Sequence, residues 1–171
     1  MSNLLTYLKG GDLRSIANAD EVISLIKKQS DFDKLFEHLF DNDRLIRMRA
    51  ADAIEKITLN NTEYLKRHKQ DIIKLMNAVN DKELKWHLAL MVSRLDLKNT
   101  ELGIVWDKLT HWATNNKESK IVRVNSIQSL FNLVIKHNEL KRDFDLTIQA
   151  IKSENIPSIN ARLRKLKIMP M

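Results

Sequence analysis

Three segments of the chain superimpose without gaps at a fixed spacing, and this period constrains the fold more than any other feature. DRLIRMRAADAIEKI (43–57), DKELKWHLALMVSRL (81–95) and SKIVRVNSIQSLFNL (119–133) stand 38 residues apart. Equivalent positions match in type: Ile46, Leu84 and Val122; Arg47, Lys85 and Arg123; Ile54, Val92 and Leu130; Ile57, Leu95 and Leu133. A weaker fourth copy, SINARLRKLKI (158–168), follows 37 residues on, with Ile159 in the Ile46 row. Self-similarity at such a period marks a supersecondary unit that cannot bury its apolar face alone and does so by stacking on its neighbours.

Each copy reads as a helix. Counting ~100° per residue from Ile46, the side chains of Ala50, Ala53, Ile54 and Ile57 fall in one apolar stripe about 100° wide. Asp43, Asp81 and Ser119 sit where an N-cap would satisfy the first free N–H groups. A second apolar-periodic segment precedes each copy: 31–40, 62–79, 100–114 and 139–151. The joins within pairs, such as Asp41–Asn42 and Asn80–Asp81, are so short that paired helices are antiparallel neighbours. An N-terminal pair, roughly 2–8 and 19–29, is split by Gly10–Gly11. Composition agrees with this pattern. The chain has 3 Gly and 2 Pro in 171 residues, where roughly 12 and 8 are usual. Sandwiches, barrels and Rossmann-type folds need more turn-formers than that.

The expected fold is all-α: an α-α superhelix of four to five antiparallel helix pairs forming one domain over 1–171. The repeat pairs are expected at about 1–29, 30–59, 61–97, 99–137 and 138–169. The texture of Asp43–Ile54 resembles the second helix of a HEAT repeat, with looser copies at Ile121–Leu133 and Ile159–Lys167. GGDLRS (10–15), RMRAADAIEK (47–56) and WHLA (86–89) resemble small stand-alone bacterial HEAT-like proteins. That resemblance implies a HEAT/armadillo-like solenoid acting as a non-catalytic binding scaffold, with no cofactor. Fold alone does not assign a function.

Little in the sequence suggests chemistry. There is no Cys, so there is no disulfide frame, thiolate metal site or cysteine nucleophile. The five His are scattered, with no HExxH or His-Glu pair, so no metal site is expected. No Gly-rich phosphate loop or G-x-S-x-G elbow occurs. No apolar run approaches ~18 residues and the start lacks a signal-peptide pattern, so no membrane role and a cytoplasmic location are expected.

Three rows on the repeated helix are candidate binding positions. Met48, Trp86 and Val124 lie opposite the core stripe, Trp86 about 170° from its centre. If the second helices form the inner layer, this row faces the concave surface, and Trp86 anchors a protein or peptide. The other reading of Trp86 is packing between repeats. Arg49 and His87 lie at one edge of the helix. Arg47, Lys85 and Arg123 lie at the other edge, either as a basic ladder for an anionic polymer or bonded structurally to acids of an adjacent repeat. The resemblance implies the latter, with Asp41, Asp43 and Asp81 as partners. Trp106 and Trp112 are expected to fill the core.

The net charge is +7, and it is uneven: residues 117–171 hold 11 basic and 5 acidic side chains. A nucleic-acid-binding role for this basic half is the alternative to a protein partner, with Trp106, Asp107 and Arg123 as a loose imitation of a HEAT-like DNA glycosylase pocket. Aromatic side chains between the basic residues are few, which favours a protein partner.

Overall fold

The computed structural model describes residues 4–9 and 19–169. Gly10–Gly11 and the GGDLRS segment lie outside the described residues. Those described form helices with short connections and no strand. They cluster into two units that divide after Lys69.

The first unit holds α1 (Leu4–Leu8), α2 (Ala19–Leu25), α3 (Gln29–Glu37) and α4 (Arg44–Asn60). α4 packs against all three others. Its start follows its sequence: Asp43 is extended and its Oδ1 accepts from the Leu45 N–H at 2.8 Å. A 3₁₀ turn over His38–Phe40 tightens the end of α3 before the three-residue join. A longer 3₁₀ stretch, Thr62–His68, follows α4 and stacks aromatically on α3: Tyr64 lies on Phe32 and His68 on Phe36, with ring centroids 5.0 and 3.9 Å apart. Asp33 receives hydrogen bonds from Gln29 and His68, both at 2.7 Å.

The second unit contains most of α5 (Lys69–Ala78), then α6 (Lys82–Val92), α7 (Asn99–Thr114), α8 (Lys120–Lys136), α9 (Lys141–Lys152) and α10 (Pro157–Lys165). α8 packs on α6 and α10 at its sides and on α7 and α9 beneath, and α7 packs on α9. Two layers result: α6, α8 and α10 side by side, with α7 and α9 below. Trp112 is buried between the layers, with the ammonium groups of Lys85 and Lys108 at 6.0 and 5.7 Å from its ring centroid. Trp106 is buried too. Ser119 caps α8 by accepting from the Val122 N–H. Asp81 holds the same place before α6, but makes no side-chain cap bond. The turn into α10 uses Asn155 at φ 49°, a left-handed conformation Asn tolerates, and Pro157 in the first turn.

Candidate binding face

Inter-repeat hydrogen bonds fix which way each side of α8 points. On one side, Ser129 Oγ donates to Ala89 O at 2.5 Å and Asn132 Nδ2 to Ser93 Oγ at 3.3 Å, both in the preceding repeat. On the other, the Phe131 ring lies 6.1 Å from Phe144 of α9, and Gln128 accepts from Arg162 of α10 at 2.6 Å. The open direction lies between these sides and away from α7. It is occupied by Ile121, Gln128 and Ile135, which cluster at about 220–260° from Val122 at ~100° per residue. Ile121 is 45% exposed and Ile135 70% exposed. Half-buried Leu90 of α6 is in the Gln128 register, 38 residues earlier.

This corrects the expected face. The sequence leaves the Met48, Trp86, Val124 row two readings, an outward face or packing between repeats, and burial favours the second. Val124 is only 8% exposed, because its side of α8 turns towards the following repeat. Trp86 is half-buried, its ring 5.2 Å from that of His87. His87 and Arg49 are buried, so neither stands at a solvent rim. Arg49 Nη1 donates to Leu8 O at 2.9 Å and so holds the C-terminus of α1 within the first unit. Met48 and Arg47 are half-buried on α4 in that same unit, and Arg47 Nη1 donates to the backbone oxygens of Asp41 and Asn42 at 2.7 and 3.0 Å.

The basic ladder is likewise turned inward. Arg123 is 1% exposed; its Nε donates to Ala113 O at 2.8 Å and its two Nη groups to both oxygens of Glu154. The Arg123 guanidinium holds the Glu154 carboxyl below its ordinary value. Lys85 bonds Glu118. Glu118 and Glu154 both stand just before the second helix of the next pair, so Lys85 and Arg123 tie successive helix pairs together through structural bonds. The glycosylase-like trio does not assemble either. The hollow beside buried Trp106, about 410 Å³, is lined by Asn99, Leu102, Gly103, Glu139, Leu140 and Asp143, and by neither Asp107 nor Arg123.

A polar chain that the sequence reading missed crosses the layer. Arg162 donates to Gln128 Oε1, Gln128 Nε2 to Asn132 Oδ1 at 2.9 Å, and Asn132 to Ser93. Lys136 Nζ donates to Ser93 O at 2.7 Å, placing a cation at the C-terminus of α6. Burial lowers the pKa values of Lys136 and Arg162. The repeat register holds no consistent signal for the apolar positions: Leu59 and Ile135 are exposed, but Leu97, which stands between them in the same register, is buried.

The model of the HEAT repeat domain matches residues 11–168. The chain belongs to the HEAT-repeat family. HEAT-repeat domains are helical scaffolds, typically non-catalytic, which accords with paired helices whose cations serve structural bonds. No curated protein and no solved structure matches the chain. Among the described residues of this HEAT-repeat chain, no helix is long and apolar enough to cross a membrane, and no group of three or more His, Cys, Asp or Glu is placed to hold a metal ion.

Proposed function

We propose that this HEAT-repeat chain is a non-catalytic scaffold that binds a protein or peptide on the open face of α6, α8 and α10. The observation carrying this reading is the exposure of Ile135 and Ile121 on the solvent side of α8, a helix otherwise covered on its remaining sides. Large aliphatic side chains left in water next to a rigid hydrogen-bonded lattice gain free energy when a partner covers them.

A photo-crosslinking residue at position 135, in the full chain exposed to native lysate, tests the proposal. One defined protein adduct is expected, absent when the same residue is placed at 104, an exposed isoleucine of the other layer. Equal adducts from both positions, or none from 135, would refute it. A second reading, nucleic-acid binding, is favoured by the exposed Arg164, Lys165 and Lys167 at the end of the chain. It predicts nucleic acid at the crosslink and an affinity falling steeply with salt as phosphate contacts release counterions.

A further inference from the structure

We infer that the segment received by the open face is an amphipathic helix with Asp or Glu along one flank; this rests on the binding role proposed above. Three helices of the face run in the same direction. Residue pairs 89 with 129 and 93 with 132 join α6 to α8, and 123 with 154 and 128 with 162 join α8 towards α10, both members rising together. Lys165, one turn beyond Arg162, therefore stands level with the turn of α8 that follows Gln128 and leads to Ile135.

The face is thus divided by chemistry. Leu90, Ile121 and Ile135 are apolar on the α6–α8 side, while Arg162 and exposed Lys165 are cationic on the α10 side. Neither α8 nor α10 contains a single Asp or Glu, and the one acid of α6, Glu83, is buried. An anion on the partner meets Arg162 and Lys165 on a helix that carries no acid, and a cation there is repelled. A polyanion such as nucleic acid would satisfy Lys165 but leave Ile135 and Ile121 against charged phosphate. An amphipathic helix satisfies both halves: aliphatic side chains at i, i+3 or i+4 and i+7 cover the isoleucines, and carboxylates on one flank reach Lys165 and Arg162.

The test is a selection by the full chain from displayed random peptides of about 16 residues, roughly 24 Å of helix. Enriched peptides are then resynthesised, and their affinities measured by fluorescence anisotropy against the unmodified protein, Ile135→Asp and Lys165→Glu, at low and high salt. Both side chains are exposed, so both variants retain the fold, checked by circular dichroism. The enriched sequences are expected to show helical apolar spacing with an excess of Asp and Glu. Ile135→Asp is expected to weaken them at least about 30-fold, as loss of a hot spot does. Lys165→Glu is expected to weaken them about 3- to 10-fold with a flatter salt dependence. Peptides that respond to Ile135→Asp but not to Lys165→Glu, or that are neutral or basic, overturn the acidic flank and leave the binding face standing. Peptides that ignore Ile135→Asp, or no enrichment at all, overturn both. Duplex DNA or anionic vesicles bound in a manner sensitive to Lys165→Glu and indifferent to Ile135→Asp would replace the helix with a polyanion.

Discussion

Arg123, inside the second unit, grips both carboxylate oxygens of Glu154 at 2.8 and 2.6 Å across the boundary between successive helix pairs. The pair is asymmetric: the guanidinium side chain is 2% exposed and the carboxylate side chain 30%. Replacing the acid by an amide removes the charge and one of the two acceptors, leaving the buried cation its bond to Ala113 O and a single amide oxygen. Glu154→Gln is therefore expected to cost about 1.5–3 kcal/mol in a urea melt, the range for a hydrogen bond to a charged group, because water reaches the carboxylate.

The same pair sets an acid limit. Glu154 has a folded pKa depressed below its ordinary 4.5, chiefly by the hydrogen bonds from Arg123. Its contribution is complete above the unfolded value and is lost as pH falls through the folded one. Stability of the unmodified protein should fall as pH drops below 4.5, and Glu154→Gln should show a smaller fall over the same range. Parallel curves for the two proteins would place the acid sensitivity elsewhere.

Arg49 closes the end of α1 in the first unit. Arg49→Met keeps the bulk and removes the bond to Leu8 O, a charge-assisted hydrogen bond at a helix C-terminus. A loss of about 1.5–3 kcal/mol is expected. Amide exchange should quicken in residues 4–8 ahead of the rest of the unit; uniform quickening would mean that Arg49 supports α4 instead.

Trp86 and Trp112 should separate in the same assay. Trp112 is almost wholly buried, so Trp112→Ala should cost about 3–5 kcal/mol. Trp86 is half-buried, and Trp86→Ala should cost about 2 kcal/mol, less than the full loss of a core Trp. Equal losses would place Trp86 wholly between repeats, and no loss would return it to the surface as an anchor.

The period of 38 residues made the helix pairs legible, since α4, α6, α8 and α10 each begin within a residue or so of the repeated segments. The caps at Asp43 and Ser119 were legible for the same reason. The 3₁₀ stretches at 62–68 and 138–140 were not, because their apolar spacing passes for that of an α-helix start. The open face was misplaced by about half a quadrant. A helical wheel drawn on one pair gives the direction of that pair's own core, and Val124 shows that the following repeat claims part of the opposite side. The structural bonding of the ladder residues was legible in kind but not in partner: the acids that hold Lys85 and Arg123 are Glu118 and Glu154, 33 and 31 residues further on, where a single motif cannot display them.

The most direct test of the account compares two aspartates. Ile135→Asp and Ile104→Asp each place a carboxylate at an exposed isoleucine, one on the proposed binding face and one on the opposite layer. Calorimetric titration of both variants with a peptide selected by the unmodified protein is expected to show binding lost for Ile135→Asp and retained for Ile104→Asp, with matching urea midpoints. Equal affinities for the two variants, or loss only in Ile104→Asp, would contradict a binding face on α8.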